Sequence, residues 1–326
     1  MIEAVGLRKS YRAKRGRKGG TVDAVLGVDF AVQRGEIFGF LGPNGAGKST
    51  TLRMLATLLR PDGGDATIAG ADLRRAPAQV RQHIGFVAQS GGTYDQSTAR
   101  RDLVHQARMY GVPKSTAITL AEAAIVAFQL GELADRRAAT YSGGQRRRLD
   151  IALGVIHSPA VIFLDEPTAG LDPASRASVW QEVRRLRDQG MTVFLTTHYL
   201  DEADALCDRI SIIDAGLIVA EGTPSDLKRE ISGDVVIVDL IAADSAGAPE
   251  PATMLAAAKL LTDERCVRSC EAIEGTLRLY VDDAAPAIPQ IMRALSSKGI
   301  EPGAIEYRRP SLDDVFLAKT GRTLAD

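Results

Sequence analysis

Eight consecutive residues constrain this chain more than any other feature: Gly42-Pro43-Asn44-Gly45-Ala46-Gly47-Lys48-Ser49 fits the pattern G-x-x-x-x-G-K-[ST]. The pattern has physical meaning only between a strand and a helix, and both flanks read that way. Ile37-Phe38-Gly39-Phe40-Leu41 is a short apolar run of the kind that forms a buried strand. A helix is expected from Lys48 to about Leu59, stopped by Pro61-Asp62-Gly63-Gly64. Glycines let the connecting backbone curl so that several N–H groups face one anion at the positive end of that helix. Lys48 is then placed to reach the β- and γ-phosphates of a nucleotide, and the Ser49 hydroxyl to ligate Mg²⁺.

The rest of the chain supplies the fold such a loop requires. Val22 to Val32 is rich in β-formers, and Arg34-Gly35 reads as a turn. From about Arg100 to His157 the apolar spacing becomes helical, with Leu103, Met109, Leu120, Ala124 and Phe128 expected on buried faces. Strands and helices then alternate: Val161–Leu164, a helix Pro173–Gln189, Thr192–Thr196, a helix Leu200–Leu206, and Ile210–Ile213. Near-continuous apolar strands alternating with helices indicate α/β class, a parallel sheet covered by helices. At 326 residues the chain exceeds the usual single-core limit of about 250–300 residues, so two domains are expected. Charge changes where the division should fall: residues 1–230 carry 30 basic and 26 acidic side chains, whereas residues 231–326 carry 10 and 15. The second part reads as strand Val235–Ala242, helix Ala252–Leu261, strand Val267–Ile273, turn Glu274-Gly275, strand Leu277–Asp282, helix Pro286–Ser297 and strand Ile300–Tyr307, with Ala242–Thr253 loose. That βαββαβ order suggests a small α+β, ferredoxin-like domain.

Several classes are excluded at this point. Net charge is −1, which argues against a nucleic-acid partner. Three cysteines, Cys207, Cys266 and Cys270, cannot form a fully paired disulfide framework, and Cys266-x3-Cys270 has no second pair to complete a metal site. No signal peptide is read at the start, and no apolar stretch reaches the roughly 18 residues needed to span a bilayer. The longest candidate, Ile151 to Leu164, is broken by His157 and Pro159.

Two further segments carry chemistry. Val161-Ile162-Phe163-Leu164-Asp165-Glu166 is a buried strand ending in adjacent carboxylates, which strand alternation would send to different sides. Asp165 is the candidate Mg²⁺ anchor, and Glu166 the candidate general base that activates water. Tyr141-Ser142-Gly143-Gly144-Gln145 precedes a basic helix; Ser142 can cap it, and the glycines leave its N–H groups open as a second anion site.

Together these segments resemble the ATP-binding subunits of ABC transporters. Gly42–Ser49 is similar to their Walker A loop, Tyr141–Gln145 to their signature motif and Val161–Glu166 to their Walker B strand. Gln89, after Ile84-Gly85-Phe86-Val87, resembles the Q-loop glutamine; Ala169-Gly170-Leu171-Asp172 the D-loop; His198 the switch histidine; and Tyr11 the aromatic that stacks on adenine. Arg309-Pro310-Ser311-Leu312-Asp313-Asp314-Val315-Phe316-Leu317, followed by Thr320-Gly321, resembles the tail of the daunorubicin-resistance subfamily. Two departures are a Tyr at position 141 where many members have Leu, and a long basic segment, Arg12–Gly20.

The resemblance implies an ABC-type ATPase core over residues 1–230, with antiparallel β and helical subdomains (the latter at about 95–157), and an accessory domain at 231–326. It implies ATP and Mg²⁺ as cofactors. ATP contacts are expected from Tyr11, Gly42, Pro43, Asn44, Gly45, Ala46, Gly47, Lys48, Ser49 and Thr50, and from Ser142, Gly143, Gly144, Gln145 and Asp172. The metal would be held by Ser49, Gln89 and Asp165, with Glu166, His198, Gln89 and Lys48 as the catalytic set. Two copies would close head to tail, Ser142 and Gly144 of one meeting the γ-phosphate held by Lys48 of the other. The expected function is to power export of a hydrophobic drug, antibiotic or lipid through a separate transmembrane permease, peripherally at the cytoplasmic face of the membrane. Alternatives are an importer subunit, since the cassette is direction-neutral, and an ABC-type ATPase acting on ribosomes or DNA. The latter is disfavoured by the single phosphate loop and the absence of sustained heptads. Ser311–Leu317 is expected to serve dimer contact or regulation.

Overall fold

The computed structural model describes residues 1–12, 20–231, 233–240, 251–273 and 276–321. Most of the basic segment (13–19), the turn at 274–275 and most of the loose stretch (241–250) lie outside the described residues. The chain divides into two compact units, Met1–Pro224 and a second beginning at Ser225.

In the first unit the chain runs through β1 (Ile2–Arg12), β2 (Thr21–Val32), β3 (Ile37–Leu41), α1 (Lys48–Leu55), β4 (Gly63–Ile68), β5 (Ala71–Asp72), α2 (Pro77–His83) and β6 (Ile84–Val87). Three helices follow, α3 (Ala99–Met109), α4 (Lys114–Ala127) and α5 (Gly143–Val155). The order then becomes β7 (Val161–Asp165), α6 (Pro173–Asp188), β8 (Thr192–Thr197), α7 (Leu200–Leu206), β9 (Arg209–Asp214) and β10 (Leu217–Gly222). One sheet is antiparallel, in the order β2-β1-β4-β5; the other is six-stranded, in the order β10-β9-β3-β8-β7-β6, with only β10 antiparallel to its neighbour.

Every residue of β3, β7 and β8 is buried, as strands covered on both faces must be. Phe30 of β2 stacks among Phe38, Phe40 and Phe194 of the central sheet, at centroid separations of 5.9, 5.4 and 5.8 Å. These aromatic contacts fasten the antiparallel sheet to the parallel one.

Two local expectations need correction. The helix after the phosphate loop ends at Leu55, not Leu59, because Leu58 and Leu59 both turn their amides back to the Arg53 carbonyl (2.9 and 3.1 Å). Met109 is 72% exposed: α3 buries Ala99, Leu103 and Ala107, a four-residue repeat that leaves Met109 off the buried face.

The second unit opens with α8 (Pro224–Glu230), then β11 (Asp234–Leu240), α9 (Pro251–Thr262), β12 (Val267–Ile273), β13 (Thr276–Val281), α10 (Ala284–Ser297), β14 (Pro302–Arg308) and α11 (Leu312–Thr320). Its sheet order, β12-β13-β11-β14 with antiparallel neighbours, is the ferredoxin-like arrangement of a βαββαβ chain. Met254, Ala257 and Leu261 of α9 and Ala287, Ile291 and Leu295 of α10 share a core with Val236, Val238 and Leu279. α9 starts at Pro251, one residue before the expected Ala252, and β14 starts at Pro302 instead of Ile300.

The tail motif forms α11, which the βαββαβ reading did not include. Ser311 and Asp314 cap its start reciprocally, and Arg308 donates two bonds to Asp314 (2.5 and 3.0 Å). Leu312, Val315, Phe316 and Leu317 are buried, so these side chains are not displayed for contact with another chain.

Candidate active site

Parallel register decides where the site forms. Leu41 of β3 lies opposite Thr197 of β8, Thr196 opposite Asp165 of β7, and Leu164 opposite Val87 of β6. The carboxyl ends of four strands therefore line one edge of the sheet, and the chain leaves them at Gly42, Gln89, Glu166 and His198. That edge is where open α/β sheets bind ligands.

The loop from β3 to α1 is shaped by close backbone approach. Gly47 has φ 109°, and a Cβ there would lie 2.5 Å from the Ala24 carbonyl. Ala46 is buried and donates its amide to Pro43 (3.2 Å), while Asn44 and Gly45 are exposed and Pro43, Ser49 and Thr50 half-buried. Lys48 is 4% exposed and donates Nζ to the carbonyls of Gly42 (2.6 Å) and Pro43 (3.0 Å). Burial lowers its pKa, and the neighbouring Glu166 and Asp165 act in the opposite direction. The ammonium thus rests on the loop's own carbonyls, which phosphate oxygens can replace. Tyr11, near the end of β1, is 41% exposed, with the Lys9 ammonium 6.0 Å from its ring centroid.

The two carboxylates do not diverge as strand alternation predicted. β7 ends at Asp165, and Glu166 takes a left-handed φ of 45°, so the turn and not the pleat sets its direction. Backbone strain of this kind costs on the order of 1–3 kcal/mol and persists where surrounding contacts impose it. Here the Glu166 amide donates to both the carbonyl and the hydroxyl of Thr196, each at 3.1 Å. Glu166 Oε2 accepts from Gln89 Nε2 (2.8 Å), while Oε1 lies 3.7 Å from Lys48 Nζ and 3.3 Å from His198 Nδ1. The His198 contact lacks hydrogen-bond geometry, which leaves that nitrogen available.

Asp165 Oδ1 accepts from Ser49 Oγ and from Thr196 Oγ1, both at 2.8 Å. Its Oδ2 is buried with no hydrogen-bond partner; the nearest cation, the Arg53 guanidinium, is 4.0 Å away. A buried, unsatisfied carboxylate oxygen beside a hydroxyl is the donor set a hard cation such as Mg²⁺ takes while keeping most of its waters. Among the described residues no cluster of three His, Cys, Asp or Glu side chains gathers to hold a metal unaided. The residues present therefore fit Mg²⁺ shared with a nucleotide.

The start of α5 is capped as the sequence suggests. Ser142 caps α5 through the Gln145 amide (3.3 Å), and Gln145 Oε1 returns to the Ser142 amide (2.9 Å). The Gln145 side chain is thereby occupied by the cap. Ser142 and Gly143 are exposed and Gly144 is packed against Ser175. Asp172 caps α6 in the same way, accepting from the Ser175 amide (2.9 Å) and hydroxyl (2.6 Å), bonds that lower its pKa. Among the described residues no hydrogen bond or ion pair joins Ser142, Gly143, Gly144 or Gln145 to Lys48, Ser49 or Asp165.

Sequence reasoning missed two supporting groups. Glu202 is fully buried and accepts from Thr168 Oγ1 (2.8 Å) and Trp180 Nε1 (3.0 Å), tying the segment after Glu166 to α7; burial raises its pKa. Trp180 is half-buried with its N–H on this carboxylate. Arg147 is 6% exposed. It sits in a run of three arginines, and the signal that distinguishes it is helical spacing: Gly144, Arg147, Ile151 and Gly154 share the buried face of α5.

Residues 25–169 match the ABC transporter family, and residues 222–320 match the C-terminal domain of DrrA1-3-like ATP-binding proteins. The daunorubicin/doxorubicin resistance ATP-binding protein DrrA of Streptomyces peucetius is 43% identical over 326 residues, covering 100% of this chain and 94% of its own length. The linearmycin resistance ATP-binding protein LnrL of Bacillus subtilis (strain 168) is 35% identical over 330 residues and covers 100% of both chains. A dimeric structure of a bacterial ABC transporter cassette superposes with a TM-score of 0.61 at 25% identity, covering 68% of this chain and 98% of that one. Full-length likeness through both units makes the family plain: this chain belongs to the ABC transporters, as an ATP-binding, ATP-hydrolysing subunit of the branch that carries the DrrA-type C-terminal domain.

Proposed function

We propose that this chain closes with a second copy, head to tail, around ATP and Mg²⁺, and powers export of a hydrophobic drug, antibiotic or lipid through a separate transmembrane subunit. Members of the family act as dimers with transmembrane partners. The observation that carries the export reading is the likeness along the whole chain, second unit included, to proteins named for drug and antibiotic resistance. Among the described residues no helix is long and apolar enough to cross a membrane, so the path for the exported compound is assigned to a partner, which would hold this chain at the cytoplasmic face.

When bound, ATP supplies the phosphoanhydride, and Mg²⁺ neutralises its oxygens. Lys48 exchanges the Gly42 and Pro43 carbonyls for phosphate oxygens. Ser49 Oγ and Asp165 Oδ2 would hold the cation, with Gln89 beside them. Glu166, desolvated and aligned by Gln89, takes a proton from water as general base. His198 orients that carboxylate from its other side. The Gly143 and Gly144 N–H groups at the start of α5 serve the nucleotide of the opposite copy, consistent with their lack of any bond to Lys48, Ser49 or Asp165 in their own chain. Tyr11 offers a ring to adenine.

The test is accumulation of a fluorescent anthracycline in cells producing this chain together with a candidate transmembrane subunit. The parent should lower accumulation several-fold and Glu166→Gln should not. Equal accumulation in both would reject export of that compound class as the function.

A further inference from the structure

We propose that Arg147 is a positioning residue for Glu166 and Gln89, through which the helix beginning at Ser142 sets the alignment of the chain's own carboxylate base. The inference rests on the reading of Glu166 as that base.

The Arg147 guanidinium is buried and its three nitrogens go to three backbone carbonyls, each next to a residue of the site. Nε donates to Pro167 (2.7 Å) and Nη2 to Asp165 (3.1 Å), which flank Glu166 on either side in the chain. Nη1 donates to Ala88 (2.7 Å), which immediately precedes Gln89. One rigid, planar fork therefore holds both halves of the Gln89–Glu166 hydrogen bond from behind. Burial lowers the Arg147 pKa, as expected of a cation held by neutral carbonyls, while Asp150, Glu202 and Asp165 act to raise it.

Four further contacts, two of them to the same Asp150 oxygen, join α5 to β6 and the segment after Gln89. Asp150, one turn beyond Arg146, accepts from the Gly92 amide (3.0 Å) and the Thr93 hydroxyl (2.5 Å). Arg146 donates to the Thr93 carbonyl (2.8 Å). Further along the helix, a Cβ on Gly85 of β6 would collide with the Gly154 carbonyl, so the helix backbone lies directly on the strand that leads to Gln89. A cavity of about 120 Å³, lined by Gln89, Gly143, Arg147, Asp150, Glu166 and Pro167, brings these groups around a common space. Glu166 needs such support because its φ of 45° is unfavourable for a residue with a side chain. Since the Ser142 end of α5 faces the nucleotide of the other copy, a contact made there is mechanically linked to the base of this copy's own site.

Arg147→Met, which fills the volume without donors, and Arg147→Lys, which keeps the charge but not the fork, test this in the full chain. The measurements are kcat, the ATP Kd, thermal unfolding, and the effect of Arg147→Met in a Glu166→Gln background. The expected result for Arg147→Met is a fall in kcat of tenfold or more with the ATP Kd close to the parent and the protein folded at the assay temperature, its Tm lowered because the Pro167, Ala88 and Asp165 carbonyls lose their donors. Arg147→Lys should recover part of the loss, and Arg147→Met should add less than twofold once Glu166 is already Gln. If Arg147→Met does not fold, Arg147→Lys alone must show the kcat loss at unchanged Kd. A kcat within twofold of the parent, a Kd that rises in step with the loss, a full multiplicative effect on top of Glu166→Gln, or failure of both variants to fold would each overturn the proposal. A silent Arg147→Met beside an inactive Glu166→Gln rejects this inference alone, whereas full turnover in Glu166→Gln removes the base assignment and this inference with it.

Discussion

Asp165 in the first unit and Asp314 in the second are both buried carboxylates, and they differ in what is left over. Asp314 is saturated: Arg308 donates to both oxygens, and the Ser311 amide and hydroxyl add bonds to Oδ2, each at 2.8 Å. Asp165 has two donors on Oδ1 and none on Oδ2. Leaving a buried acceptor unsatisfied costs about 1–3 kcal/mol, so a fold retains one mainly where a ligand supplies the missing partner. Saturation marks Asp314 as a device that seats the last helix, whereas the deficit at Asp165 supports the proposal that it is half of a binding site.

The sharpest test of that contrast is Glu166→Gln, which removes the proposed base while preserving shape. It should lower kcat by about 10²–10⁴-fold, the range for general-base catalysis, with the ATP Kd within about twofold of the parent. Turnover at the parental rate would break the functional half of the comparison.

Asp314→Ala should act on stability instead. Stranding Arg308 beside Arg278 should cost the second unit about 3–5 kcal/mol in denaturant unfolding, with ATP affinity unchanged. Burial pushes the Asp314 pKa up, but hydrogen bonds from Arg308 and Ser311 prevail and hold it below the ordinary carboxylate value. Its stabilisation is therefore complete above about pH 4 and is lost as pH falls through the depressed folded pKa. Acid titration of unfolding should be flatter in Asp314→Asn than in the parent; identical profiles would remove the structural role.

Asp165→Asn should raise the Mg²⁺ concentration needed for half-maximal turnover by about 10–100-fold, the worth of a charge-assisted contact, while nucleotide binding without Mg²⁺ stays near the parent. An unchanged Mg²⁺ requirement would mean the orphaned oxygen is not a ligand. Smallest should be Tyr11→Ala, where loss of one exposed stacking face is worth roughly 1 kcal/mol and a Kd increase of about fivefold. A larger effect, or any change in the Mg²⁺ requirement, would show that Tyr11 does more than stack.

How far the site is legible depends on how local its cause is. Gly42–Ser49, Ser142–Gly144 and the strand ending at Asp165 can be read directly, because a loop that wraps an anion, a capped helix end and a buried apolar strand are each specified by neighbours in the chain. The direction of Glu166 cannot, because a left-handed turn held by Thr196, thirty residues away, overrides strand alternation. Met109 was misplaced because which face of α3 is covered depends on its packing partners. For Gln145 and Asp172 the motif resemblance implies a nucleotide contact, and the fold adds what no motif shows, that their side chains also cap α5 and α6. Arg147 was hidden among three arginines until packing turned it inward.

Sequence alone determined the elements, the anion-binding loop and the pair of carboxylates, since periodicity, capping and glycine placement act over a few residues. Only the tertiary structure decided which carboxylate oxygen stays unpaired and which arginine braces the site. Those outcomes are set by groups distant in the chain that meet when the parallel strands come into register.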